Sequence, residues 1–154
     1  MIAPNDAERE IMSELLAVSL VGQQSGWDNR AWTRGVKNAI VTVGKRLNHK
    51  TAGIGCNSDD GCEWLYDVLW YDVDGAFLRD VSLVAESEWG DLNAIKGDFE
   101  KLLVARADHH VMVFESDGAE EIWKIVTHMV TWVRNYRRSE RTDRFLLAGW
   151  AANH

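Results

Sequence analysis

The stretch Asp80-Val-Ser-Leu-Val-Ala-Glu-Ser-Glu-Trp-Gly90, followed by Asp98-Phe-Glu-Lys-Leu-Leu103, decides how this chain folds. Side chains alternate along a strand, so Val81, Leu83 and Ala85 share one face and Ser82, Val84, Glu86 and Glu88 the other. Both faces are apolar at the start of the run, which predicts a central strand covered on both sides. Two carboxylates then stand where burial calls for Val or Ile. Like charges on one sheet face repel and are costly to bury, and a divalent cation is the usual way to offset them.

Upstream, residues 63–71 are rich in Trp, Tyr, Val and Leu and predict a second strand, with Asp72-Val-Asp-Gly75 signalling a hairpin. Within that strand Asp67 falls between Leu65 and Leu69 on one face, another carboxylate at an interior position. A tight Asp74-Gly75 turn sets Glu63 opposite Glu86, whereas a loop centred near Ala76-Phe77 sets Asp67 there. The sequence leaves both registers open.

Helical spacing covers residues 4–21, with Pro4 and Asn5 or Asp6 as the start signal, and again residues 29–47 and 91–106. Residues 51–56 read as a short strand and residues 111–115 as an apolar one. Ser116 or Asp117 caps a long helix over residues 119–138, and residues 145–151 read as a last strand. The order α-α-β-β-β-α-β-α-β predicts one α/β domain over residues 1–154, a mixed sheet with helices on both faces.

Apolar residues make up 46% of the chain and charged residues 27%, an ordinary globular balance, and no apolar run reaches a membrane span of about 20 residues. Cys56 and Cys62 have no further Cys or nearby His to complete a zinc site, and with no signal peptide visible a cytoplasmic location is expected. The net charge of −7 argues against nucleic acid until its distribution is considered. Residues 51–116 carry 14 acidic and 4 basic side chains, concentrated on the segment with the paired carboxylates. A field focused in this way suits metal ions.

A strand with an Asp, a hairpin, a strand bearing Glu86-Ser87-Glu88, then a helix and a strand resembles the PD-(D/E)XK nuclease superfamily, the restriction-endonuclease-like fold. The similarity spans roughly residues 29–115 and rests on the element order and three positions. Glu88 stands where that family commonly has Lys. The resemblance implies that Asp67 and Glu86, with the Ser87 carbonyl, hold Mg²⁺ or Mn²⁺. It further implies that Glu88 orients or deprotonates the attacking water or binds a second metal. Lys101, three residues after Asp98, is the nearest lysine able to point back into such a site.

The segment Arg134-Asn-Tyr-Arg-Arg-Ser-Glu-Arg-Thr-Asp-Arg144 holds five arginines and two acids. Arg134, Arg137, Arg138 and Arg141 are candidates for phosphate contact, or alternatively a solvated surface after a helix C-terminus. The expectation is a metal-dependent phosphodiesterase acting on nucleic acid, DNA in preference to RNA, with a homodimer or protein partner compatible with it. The alternative is a catalytically inactive nuclease-fold protein that binds or regulates through a partner.

Overall fold

The computed structural model describes residues 5–62 and 64–151. Pro4 and Glu63, invoked above as a helix start and a strand residue, lie outside the described residues. The chain divides into two compact units, Met1–Ser82 and Leu83–His154.

The first unit opens with α1, Asp6–Ser25. Asn5 and Glu8 form a reciprocal capping box, each side chain accepting the other's backbone N–H at 3.0 Å. The helix continues through Gly22 to Ser25, and Gly26 caps it in the left-handed region. A Cβ on Gly22 would lie 2.3 Å from the Trp32 ring, so the glycine admits the indole of the next helix. That helix, α2, spans Asn29–Arg46, is capped by Asp28, and buries Val36, Ala39, Ile40 and Val43. Its inner face meets β1, Lys50–Ala52, and β2, Val68–Asp74, which pair antiparallel with Thr51 opposite Trp70. Trp70 is buried and its Nε1–H donates to the Ile40 carbonyl at 3.1 Å, so the largest side chain of the strand has its polar atom satisfied by the helix.

Two strand expectations are corrected here. The strand expected over residues 51–56 stops at Ala52, because the chain turns to bring Asp59 back to β1, where it accepts from the Thr51 N–H and hydroxyl. The strand expected over residues 63–71 begins only at Val68; Leu65 is 76% exposed and Asp67 lies in the bend before the ladder. The hairpin turn is Gly75-Ala76, between β2 and β3 (Phe77–Glu88), and so falls between the two placements considered from sequence. Gly75 has φ of 61° and Ala76 is not in the positive-φ region, the pattern of a turn with glycine at its first central position.

Strand β3 begins in the first unit and ends in the second. The second unit continues with α3 (Leu92–Val104), β4 (His109–Ser116), α4 (Ala119–Asn135) and β5 (Phe145–Ala151). β3 pairs parallel with β4, and β4 parallel with β5. Parallel neighbours need crossovers, and α3 and α4 supply them. The sheet order is β1-β2-β3-β4-β5, so the fold is α/β with a mixed sheet and β3 central. Residues 82–86 and 110–114 are buried without interruption, as strands covered on both faces should be. Ile95, Phe99, Leu102, Ile125 and Met129 complete this core from the helices. The expected cap of α4 is corrected: Gly118, not Ser116 or Asp117, occupies the N-cap position, with φ of 138°. The helix also ends three residues earlier than expected, leaving Arg137, Arg138 and Arg141 in the loop before β5.

Candidate functional site

Glu86 is the feature of β3 that packing alone does not explain. It is 4% exposed in the middle of the sheet, opposite Met112 of β4. An isolated carboxylate in such a place is strongly disfavoured, and Lys101 answers it. Lys101 lies on α3, the crossover that follows β3, and its Nζ donates to Glu86 Oε1 at 3.2 Å. One helical turn earlier, Asp98 contacts the same ammonium at 2.7 Å. Burial opposes the charge on Lys101, but the hydrogen bond to Asp98 and the charge of Glu86 outweigh it and hold the amine above the ordinary lysine value. The ammonium is therefore fixed between a buried carboxylate and a half-buried one, while its own side chain is 49% exposed. This cluster places a carboxylate–ammonium pair within reach of solvent.

Glu88 is engaged differently. Its Oε1 accepts the N–H groups of Trp89 at 2.8 Å and Gly90 at 2.7 Å, closing the turn that leads into α3. Asp91 then caps that helix through the N–H groups of Asn93 and Ala94. Ser87 sits between the two glutamates, opposite Val113. Asp67 belongs to the other compact unit, where Lys37 of α2 pairs with it at 2.8 Å and both side chains are largely buried. The structure thus brings Glu86 and Lys101 together, adds Asp98, and gives Asp67 a lysine of its own. Among the described residues no group of three or more His, Cys, Asp or Glu gathers as a metal centre. The oxygen donors that meet Lys101 are the carboxylates of Glu86 and Asp98. These are hard ligands, and Mg²⁺ commonly takes one or two protein carboxylates and completes its shell with water. The set fits that ion in kind.

Two further constellations were not singled out in the sequence. A cleft of about 470 Å³ opens beyond the C-terminal ends of β3 and β4, between the starts of α3 and α4, lined by Trp89, Asp91, Glu115 and Glu121 among others. Its place is legible once β3 and β4 are known to be parallel, since crevices form at that end of such strands. In the first unit Ser82, His49 and Asp72 converge: His49 Nδ1 is 3.3 Å from both Asp72 Oδ2 and Ser82 Oγ, and Ser82 Oγ is 3.5 Å from Asp72 Oδ2. Both partners meet the same ring nitrogen. A nucleophilic relay requires the serine on one nitrogen and the acid on the other, so this trio is a polar clamp beside Trp70, on which His49 stacks.

The arginines lie as follows: Arg134 in the last turn of α4, and Arg137, Arg138 and Arg141 exposed in the loop that follows. No helix among the described residues is long and apolar enough to cross a membrane. Comparison with family models, with curated proteins and with solved structures finds no match to this chain.

Proposed function

We propose that this protein is a metal-dependent phosphodiesterase of restriction-endonuclease-like fold that acts on nucleic acid, DNA in preference to RNA, through Glu86 and Lys101. The observation that carries the reading is the buried Glu86 on the central strand with Lys101 reaching it from the next helix at 3.2 Å. Glu86, with Asp98 and the Ser87 carbonyl, would hold Mg²⁺ or Mn²⁺. Such an ion, when bound, supplies positive charge at a phosphate oxygen and lowers the pKa of an attacking water. The chain supplies the rest. Lys101, kept charged by its two carboxylates, offers an ammonium to charge developing on the phosphate. Glu88, tied to the backbone of residues 89 and 90, sets the turn that positions α3 and with it Lys101. Arg134, Arg137, Arg138 and Arg141 contact the phosphate backbone.

A second reading, a nuclease-fold protein without hydrolysis that works by binding, is favoured by one specific observation. The carboxylates of Glu86 and Asp67 each have a lysine partner already, as in a fold that uses its charges for itself.

One experiment separates them: a Mg²⁺ or Mn²⁺ titration followed by tryptophan fluorescence, with nicking of supercoiled plasmid measured in parallel. Trp89, close to the candidate site in sequence, is the expected reporter. The catalytic reading expects saturable binding and metal-dependent nicking in wild type, both lost in Glu86→Ala. The same titration on Asp67→Asn decides whether Asp67 takes part. Absence of binding and of nicking would discard the catalytic reading in favour of the second.

A further inference from the structure

We propose that the free edge of β5 is the interface of a two-fold dimer, with β5 of one copy pairing antiparallel to β5 of a second. β5 is the last strand in the sheet order, with β4 on one side and no strand on the other among the described residues. The His110 N–H donates to the Arg144 carbonyl at 2.9 Å. By alternation, residues 146, 148 and 150 also direct their backbone groups at β4, while Phe145, Leu147, Gly149 and Ala151 present theirs outward. Such a row is a ready template for a second extended chain, which can pair all of it at once in place of water. The usual devices that block edge pairing are missing: Phe-Leu-Leu-Ala-Gly-Trp-Ala contains no charge and no proline. Burial points the same way. No residue of β5 is fully buried, whereas residues 110–114 of its neighbour all are.

Charge selects the occupant. The parallel register sets Phe145 beside His110 and Trp150 beside Glu115. The loop carrying Arg137, Arg138 and Arg141 therefore enters β5 at one end of the strands, and Glu115, with Glu120 and Glu121 at the start of α4, lies at the other. Lys124 pairs with Glu120 and Glu121, and Asp143 and Glu140 stand among the arginines, so each end keeps an excess of one sign without being uniform. A second β5 running antiparallel, centred near Ala148, sets Phe145 of one copy beside Ala151 of the other. The basic end of each copy then faces the acidic end of its mate, twice over, as a self-complementary two-fold contact requires. An arbitrary extended peptide satisfies the edge but gains nothing from this polarity.

The test uses the full chain and sedimentation equilibrium. Two double variants at exposed positions, Arg138→Glu with Arg141→Glu and Glu120→Lys with Glu121→Lys, each reverse one end; circular dichroism verifies that they fold. Wild type is expected to be a dimer, each variant alone to dissociate at least tenfold more readily, and an equimolar mixture of the two to recover the wild-type constant, because both contacts in the mixed pair are again complementary. A wild type that stays monomeric at roughly 100 µM overturns the proposal, as do a dimer indifferent to both variants and a mixture that fails to recover. Loss of nucleic-acid binding in the arginine variant of a monomeric protein would assign the loop to phosphate alone.

Discussion

A buried carboxylate needs a partner, and at Glu86 the partner's exposure sets the size of the effect. Replacing Lys101 by Met leaves Glu86 facing an apolar chain. Full loss of one member of a buried pair costs about 3–5 kcal/mol, but Lys101 is half exposed and water can enter, so a loss of about 1–2 kcal/mol is expected. Denaturant unfolding measures it, and Glu86→Gln, which removes the charge instead of stranding it, should cost less. The pH dependence has a definite sign. Because the Lys101 amine is held above its ordinary value of 10.5 in the folded protein, its contribution is complete below that pH and is lost as the pH rises beyond it. Thermal melts of wild type and Lys101→Met should therefore converge toward strongly alkaline pH. Lys101→Met also removes the proposed phosphate contact, so a variant that melts normally yet nicks plasmid at the wild-type rate would leave Lys101 without a role.

At the level of elements, close approach is set by glycines facing indoles. A Cβ on Gly44 would lie 2.6 Å from Trp70 Nε1, and the indole cannot retreat without breaking its bond to Ile40. Gly44→Ala is expected to destabilise by about 1–3 kcal/mol, despite alanine's better helix propensity, as overpacking does; a chemical melt reads it directly. The order of helices and strands was legible in the sequence because each repeats its apolar positions at its own period, and β5 was read with its observed bounds. The misreadings arise where that signal is silent. Residues 64–67 have strand-forming side chains, but the ion pair from Lys37 to Asp67 ties the chain into a bend, and no local window contains both partners. The turn lies one residue from each expected placement, with Gly75 taking the first central position of a two-residue loop and not the second. Glu86 stands out as an acid in an apolar run, and Lys101 was legible as the nearest lysine able to point back toward it. The Asp98–Lys101 pair follows from i,i+3 spacing on α3, whereas the approach of Lys101 to Glu86 depends on how that helix packs, which no local window shows.

For the whole molecule, the relevant quantity is an acidic protein with a local excess of arginine. If the loop after α4 touches phosphate, changing Arg137, Arg138 and Arg141 to Ala should weaken binding to all sequences alike and flatten the dependence of log affinity on log salt by about 1 per lost contact. Fluorescence anisotropy with a labelled duplex across a salt series measures the slope, and an unchanged slope would remove the loop from the interface. The two-residue Gly75-Ala76 connection bears on another property of the whole chain, its folding sequence. A hairpin closed so tightly forms on the microsecond scale, whereas each parallel pairing must wait for a helix to be laid across the gap. β3 thus has the means to be held from its N-terminal half while its C-terminal half still lacks β4 and α3. During that interval Glu86 is hydrated and alone, and the docking of α3, which brings Lys101, becomes the event that allows the strand to be sealed from water.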